Sequence, residues 1–284
     1  MTGDTGGGTV VITGASRGIG RACAQHLEAS GFEVFAGVRD RARAGLLDDA
    51  GGRIRLVDLD VSDPASVAAA ASEVAAAVGD RGLAGLVNNA GFVVGGPLEH
   101  VPLDELRRQF EVNVFGVVAV TQRFLPLLRS GGGRLVNVSS VAGLVAQPFL
   151  GPYSASKFAL EALTDSMRLE LRPFGIRVSL VEAGAIATEI WDASFEAADA
   201  RMSALPQEAR ALYGPAYARA RAAMARLGRR ATPPEAVARA VGHALGARRP
   251  RPRYRVGRTS TLVRLVSLLP DRMRDRLVRL YLGV

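Results

Sequence analysis

Tyr153 and Lys157 stand four residues apart in the run Tyr153-Ser-Ala-Ser-Lys157. On a helix that spacing puts both side chains on one face. A free phenol ionises near pH 10 and is a poor acid or base at neutral pH. An ammonium beside it favours the phenolate and lowers that pKa, which turns the pair into a proton donor and acceptor. Lys157 is also the single lysine among 36 basic residues, the other 35 being arginine. A compact ammonium and a rigid guanidinium are not interchangeable, so a lysine kept in such a chain marks a place where arginine does not serve. Ser140, 13 residues before the tyrosine, follows a β-branched run. There its hydroxyl could steady a developing oxyanion, whereas Ser139 would point to the other face of a regular strand. Asn113 is the fourth polar candidate. Taken singly, Ser140 reads equally as a strand-end cap and Asn113 as a helix-bend residue.

A second group has the composition of a phosphate cradle. The run Thr9–Thr13 leads into Thr13-Gly14-Ala15-Ser16-Arg17-Gly18-Ile19-Gly20, and a helical stretch follows to about Ser30. Glycines at a strand-to-helix turn let backbone approach a pyrophosphate, while the helix N-terminus offers free amides and positive potential. The spacing is Gly-xxx-Gly-x-Gly, not the Gly-x-Gly-xx-Gly of the standard dinucleotide fingerprint. Such turns also occur without ligands; the place of this one at the first strand is what gives it weight.

The elements that must position these groups follow from the hydrophobic pattern. Short β-branched runs alternate with longer helical stretches, which predicts an α/β fold: a single Rossmann-type, doubly wound parallel sheet of about seven strands with helices on both faces. The expected strands are Thr9–Thr13, Glu33–Val38, Ile54–Asp58, Gly85–Asn88, Arg134–Val138, Arg177–Val181 and Tyr254–Val256. They are mostly apolar rather than alternating, as when both sheet faces are buried. Asp63-Pro64 reads as an N-cap followed by proline at the first helical position, and Thr232-Pro-Pro-Glu235 has the spacing of a capping box. Gly31 and Pro173 sit where helices should stop.

Together Thr13–Gly20, Asp60-Val61, Asn88-Asn89-Ala90-Gly91, Asn113, Ser140 and Tyr153-Ser-Ala-Ser-Lys157 resemble the short-chain dehydrogenases/reductases, over about Thr9 to Gly257. The resemblance implies an enzyme that moves a hydride between nicotinamide and a carbonyl or alcohol. Tyr153 would give a proton to the carbonyl oxygen, or take one from the alcohol, with the positive nicotinamide helping to lower its pKa. Lys157 would also hold the nicotinamide ribose, Ser140 the substrate oxygen, and Asn113 a water relaying protons to the lysine. The cofactor would lie along Gly14, Ser16, Arg17, Gly18, Ile19 and Gly20, with Asp60 and Val61 bordering the adenine and Asn88, Ala90 and Gly91 near the riboses. The second strand ends Val38-Arg39-Asp40. An NAD site would place an acid after that strand; here Arg39 can fork onto a 2′-phosphate, with Arg17 approaching from the other side. NADP(H) is therefore the expected cofactor, although Asp40 adjoins Arg39. After the sixth strand the family usually has Pro-Gly, then a threonine. Here Glu182-Ala183-Gly184-Ala185-Ile186-Ala187-Thr188 puts alanine in place of the proline, which leaves the stiffness of the loop open. Gly184, Ile186 and Thr188 can still face the nicotinamide carboxamide.

Composition sets the remaining bounds. Hydrophobic residues make up 48% of the 284, enough for a full core. Met1–Gly8 is Gly/Thr-rich and reads as a loose terminus rather than a signal peptide, and no run of about 18 apolar residues is present. One cysteine, Cys23, cannot form an intramolecular disulfide, which fits a reducing cytoplasm. Three scattered histidines make no metal-ligand cluster, so no metal is expected. Residues 1–247 balance in charge, and the excess of +9 lies in residues 248–284. A solvated or subunit-facing surface explains this most simply. The chain is expected to be a homo-oligomer, dimer or tetramer, with no specific nucleic acid and peripheral membrane contact by the tail not favoured. In that tail, expected to be one helix from Leu262, Met273, Leu277 and Leu280 form an apolar stripe among arginines.

The segment 189–232, with Trp191, Phe195, Met202, Leu205, Tyr213, Tyr217 and Met224, falls where the family forms a substrate lid. Its apolar character favours a hydrophobic ketone or secondary alcohol, although the packing of a helical pair or a subunit contact would give the same composition. Together with Arg251–Gly257 and the tail it resembles the hydroxysteroid/retinol dehydrogenase-like branch. The rival reading is a non-enzymatic cofactor sensor or scaffold on the same fold, though such proteins often lose the tyrosine or lysine.

Overall fold

The computed structural model describes residues 7–41 and 52–284; the expectation for the N-terminus falls mostly outside them. Seven strands form one sheet: β1 (Thr9–Thr13), β2 (Glu33–Val38), β3 (Ile54–Asp58), β4 (Gly85–Asn88), β5 (Arg134–Ser140), β6 (Arg177–Ala183) and β7 (Arg253–Val256). The order is β3-β2-β1-β4-β5-β6-β7, and every pair is parallel. The order reverses between β1 and β4, and ligands of such sheets bind at that switch point, beyond the strands' carboxyl ends. On one face α1 (Gly18–Ala29) and α8 (Glu235–Gly246) pack Leu27, Val237 and Val241 onto Val10 and Ile12. On the other, α2 (Pro64–Val78), α4 (Gly116–Ser130) and α5 (Gly151–Glu170) bring Val74, Phe124 and Met167 against Val11, Leu86 and Leu135.

Local signals account for most boundaries. Asp63 caps α2 by accepting from the Ala65 amide at 2.9 Å, with Pro64 following. Gly31, at φ 92°, turns the chain after α1, and α5 stops at Glu170, short of Pro173. α3 (Leu103–Phe110) runs through a π turn (Glu111–Phe115) into α4. The combined helix is long and apolar enough to cross a bilayer by length and composition alone, yet Val120, Phe124 and Leu128 are wholly buried against the sheet.

Three expectations need correction. β5 and β6 each run two residues further than their apolar runs, because Ser139 and Ser140 pair with Glu182 and Ala183, which pair in turn with Arg255 and Val256. Alanine at 183 keeps the N–H that proline would lack. The capping box does not form: α8 has Pro234 at its N-cap position without a side-chain cap, and Thr232 is spent on a parallel bridge to Ile186. The 189–232 segment is a pair of helices, α6 (Ile190–Ala204) and α7 (Gln207–Gly228). The tail is two helices, α9 (Ser260–Val266) and α10 (Asp271–Leu282), broken before Pro270, and not one. α10 returns to α7, burying Leu282 and receiving a hydrogen bond from Arg219 at the Gly283 carbonyl. The Met273, Leu277 and Leu280 stripe stays exposed.

Candidate active site

The glycine turn is built for close approach. Gly14 has φ 65°, and a β-carbon there would lie 2.8 Å from the Ala90 α-carbon; one at Gly20 would lie 2.2 Å from the Gly14 carbonyl oxygen. Thr13 Oγ1 accepts the amides of Asn89 and Ala90, both at 3.0 Å, and Asn89 Nδ2 donates to the Thr13 and Gly14 carbonyls at 3.0 and 3.1 Å. Asn89 is thus the clamp on the turn, a part that sequence reasoning did not assign to it. Its neighbour Asn88 faces the other way. The Asn88 Nδ2 donates to Thr121 Oγ1 and Asn137 Oδ1 in a buried network, while its Oδ1 has no hydrogen-bond partner.

Beyond the turn, α1 starts without a side-chain cap at Arg17 and with no acid in its first turn. Its first amides and the positive end of its dipole are therefore available to an anion. The Ala15 amide donates to the Gly37 carbonyl at 3.0 Å, and the Thr13–Gly37 register brings the end of β2, with exposed Arg39, alongside the turn and exposed Arg17. Ser16 and Ile19 are half-buried in the turn. Asp60 accepts from the Ser62 amide and hydroxyl; partial burial works against its ionisation, but these bonds and the charges of Arg39 and Arg108 hold it below its ordinary pKa. Val61 is buried, its carbonyl against Gly116.

At the ends of β4 and β5 the polar quartet comes together. Tyr153 and Lys157 lie on α5, only 8% and 6% exposed, with the ammonium 5.8 Å from the ring centroid. Lys157 Nζ donates to the Val138 carbonyl at 2.9 Å. Burial brings its pKa down to about 8, against the opposing charge of Glu161. The expectation of a lowered Tyr153 pKa is corrected in its net direction: burial raises it, because ionising a phenol away from water is costly, and a hydrogen bond with Ser140 opposes this. Ser140 Oγ already accepts from the Ala142 amide at 3.2 Å, which leaves its proton for the phenol side. Asn113 lies in the π turn, a feature frequent at functional sites. Its side chain is saturated: Oδ1 accepts from the Phe92 amide, and Nδ2 donates to the Phe92 carbonyl and Ser156 Oγ. A water held by Asn113 would have to use its main chain. Gly91 packs against the same carboxamide.

The loop after β6 is stiff despite the missing proline. The Gly184 amide donates to the Val256 carbonyl at 2.8 Å, Ala187 to Thr232 and Thr232 to Ala185, both at 2.9 Å. Ile186 is buried, and Thr188 stands against Gly18, whose φ of 54° suits glycine. Two hydrogen-bonded neighbours thus do what a fixed φ would have done.

Over this floor lie α6 and α7. Trp191 meets the Tyr153 ring edge-on at 6.2 Å, and Phe149 meets Tyr217 at 5.5 Å. Arg201 to the Gly95 carbonyl and Tyr213 to Glu99 fasten the pair down. Phe149 holds φ 65°, a strained value for a bulky side chain. The apolar pocket among Val93, Phe149, Trp191, Phe195 and Met224 is only about 20 Å³.

Behind α5 sits a charge cluster that no sequence signal indicated, since its members come from three distant segments. Arg253 contacts Glu161 at 3.2 Å, Asp165 at 2.9 Å and Glu182 at 3.0 Å, and Arg255 contacts Glu182 at 3.1 Å. Burial pushes the Glu161 carboxyl up to about 7, helped by the charge of Glu182 and opposed by Arg253. Part of the basic excess near the C-terminus is therefore matched internally. Cys23 is fully buried, and burial pushes its thiol up to about 12, so it packs rather than reacts. Among the described residues no group of three or more His, Cys, Asp or Glu is placed to hold a metal.

Comparison with known proteins agrees with this geometry. A family model described as short chain dehydrogenase matches residues 8–199. The NADPH-dependent 3-dehydrocapnine reductase of Ornithobacterium rhinotracheale is 38% identical over 274 residues, 94% of each chain. Retinol dehydrogenase 5 of Mus musculus is 38% identical over 279 residues, 94% of this chain and 86% of that one. A short-chain dehydrogenase structure from Streptomyces avermitilis matches with TM-score 0.77 at 29% identity, covering 96% of this chain and 95% of its own. One from Burkholderia cenocepacia J2315, in complex with NADP, matches with TM-score 0.72 at 28% identity and 98% coverage of each.

Proposed function

The chain belongs to the short-chain dehydrogenase family, and from that premise we propose that it is an NADP(H)-dependent oxidoreductase acting on a hydrophobic ketone or secondary alcohol. The observation that carries the reading is Tyr153, Lys157 and Ser140 meeting at the end of β5, one strand from an uncapped, glycine-lined helix start. The residues fit the cofactor: β-carbons at Gly14 or Gly20 would fill the cradle, the α1 amides suit a pyrophosphate, and Arg17 and Arg39 suit a 2′-phosphate. When bound, NADP(H) supplies the hydride to a carbonyl carbon or takes it from an alcohol.

The protein's own groups do the rest. Ser140, anchored by the Ala142 amide, holds the substrate oxygen and offsets its growing charge. Tyr153 gives its proton to that oxygen during reduction and takes one back during oxidation. Burial keeps the phenol protonated, which suits a donor; the charge of Lys157, close enough to act on the ring, steadies the phenolate left behind. Asn113 places a water for reprotonation through its main chain. The apolar α6–α7 lid selects a hydrophobic carbonyl compound and excludes bulk water. The enzyme works as a homo-oligomer in a reducing compartment, the cytoplasm. Purified protein should oxidise NADPH with apolar steroid, retinoid, aromatic or long-chain ketones, and Tyr153→Phe should abolish this. Equal rates with NADH, or undiminished turnover by the variant, would overturn the proposal.

A further inference from the structure

A second cavity is larger than the apolar pocket beside Tyr153. It measures about 620 Å³ and lies on the other side of α7, between its C-terminal end and the tail. Arg226, Arg229 and Arg230 line it from α7 and the turn after it, Arg258 from the loop after β7, and Thr259 and Tyr281 add hydroxyls. Ala223 and Leu227 give it an apolar wall. Among the described residues no carboxylate comes within salt-bridge distance of any of these four guanidiniums. This contrasts with Arg253 and Arg255, which are matched against buried acids. Four like charges around one space repel each other, and an anion placed among them relieves that repulsion.

We propose that this cavity, which Ala185 and Thr232 border from the loop after β6, binds a phosphate- or sulfonate-type anion carried on an organic group, at a site remote from the Arg17 and Arg39 expected at the 2′-phosphate. Guanidiniums fork onto such tetrahedral groups, and hydroxyls complete their coordination. The volume exceeds what the anion alone needs, and the apolar wall suits the rest of the molecule. The site is not the 2′-phosphate pocket: Arg17 and Arg39 stand at β1 and β2, whereas this cavity borders the loops after β6 and β7 at the opposite end of the sheet. Its walls come from the lid helix and from the tail, so an occupant ties the two together. The same chemistry has two sources, a free phosphate ester and a lipid headgroup. The exposed Leu262, Leu265 and Leu268 of the tail would suit the second.

The test uses the full chain saturated with NADPH, so that the cofactor's phosphates already fill their own site. Inorganic pyrophosphate is titrated against the thermal midpoint, and phosphatidylcholine vesicles with and without phosphatidylglycerol are used for flotation. The proteins are wild type, Arg226→Gln/Arg230→Gln, and the control Arg272→Gln/Arg276→Gln, which removes equal charge from the outside of α10. Pyrophosphate should raise the wild-type midpoint, with apparent affinity roughly tenfold weaker in the cavity variant, as for two exposed charges, and unchanged in the control. Pyrophosphate stabilisation without vesicle binding identifies a free phosphate ester. Flotation on anionic vesicles that only the cavity variant loses identifies a headgroup. The proposal fails if neither probe binds, if both variants lose binding equally, or if saturation with NADPH abolishes it.

Discussion

Glu161 offers a quantitative check on the charge cluster that lies behind the reactive tyrosine. Its carboxyl is displaced from 4.5 to about 7, chiefly by burial. A displacement of that size corresponds to roughly 3 kcal/mol between the two protonation states. The sign follows from linkage: with its pKa raised, the folded state holds a proton that the unfolded chain has released. The group's stability is therefore intact below about pH 4.5 and is lost as pH rises to about 7. Glu161→Gln keeps the shape and never ionises, while Arg253 keeps Asp165 and Glu182. The variant should match wild type near pH 4.5 and gain about 1–3 kcal/mol above pH 7, the lower bound allowing for the Gln amide facing Arg253. Urea unfolding of both proteins across that window measures it. His26, whose pKa is lowered first by burial and then by the charge of Arg239, adds an opposite slope that cancels in the difference. Parallel profiles, or a variant weaker at every pH, would mean that Glu161 is an ionised partner of Arg253, and the burial argument would be wrong.

The remaining predictions concern the site itself. Tyr153→Phe should lower kcat by at least about a hundredfold with NADPH affinity kept, as read by turnover and by fluorescence titration. Lys157→Arg should lose most activity although charge is retained; full activity would show that the ammonium is dispensable. Arg39→Asp should weaken NADPH roughly tenfold or more while sparing NADH, and an unaltered NADPH Kd would remove Arg39 from cofactor selection. Gly20→Ala would put a β-carbon 2.2 Å from the Gly14 oxygen. The turn must open, and binding of both cofactors should fall; a normal Kd would mean that the turn is slack.

How far the sequence was legible depends on how local each cause is. β1 to β4 coincide with the runs read from the sequence, Arg55 being the one charged residue between their ends. β5 and β6 run past their apolar cores because Ser139 and Ser140 pair with Glu182 and Ala183, and Glu182 pairs in turn with Arg255, 73 positions beyond it. The Tyr153–Lys157 pair was legible because its spacing is helical. Asn89 and Glu161 were not, since one acts through Thr13, 76 residues earlier, and the other through Arg253, 92 residues later. Thr232 had a local pattern and a distant partner, and the distant bridge to Ile186 prevailed over the cap.

The lone lysine now has a physical reason. Its ammonium is buried behind Tyr153, donates to the Val138 carbonyl, and sits where Gly143 closes on its backbone: a β-carbon at 143 would lie 3.0 Å from the Lys157 carbonyl. A guanidinium there would bring five donors and a planar fork into a space with one protein acceptor in place. Each donor left without a partner would carry a desolvation cost of about 1–3 kcal/mol. An ammonium can lower its pKa to meet burial, as here to about 8, whereas a guanidinium stays charged. On the proposed mechanism, a lysine with its pKa at about 8 would be close enough to neutral pH to exchange a proton and restore the Tyr153 hydroxyl. Among the described residues arginines meet solvent, carboxylates or backbone carbonyls, where a permanent charge serves; in the proposed reaction the charge at position 157 must be able to leave.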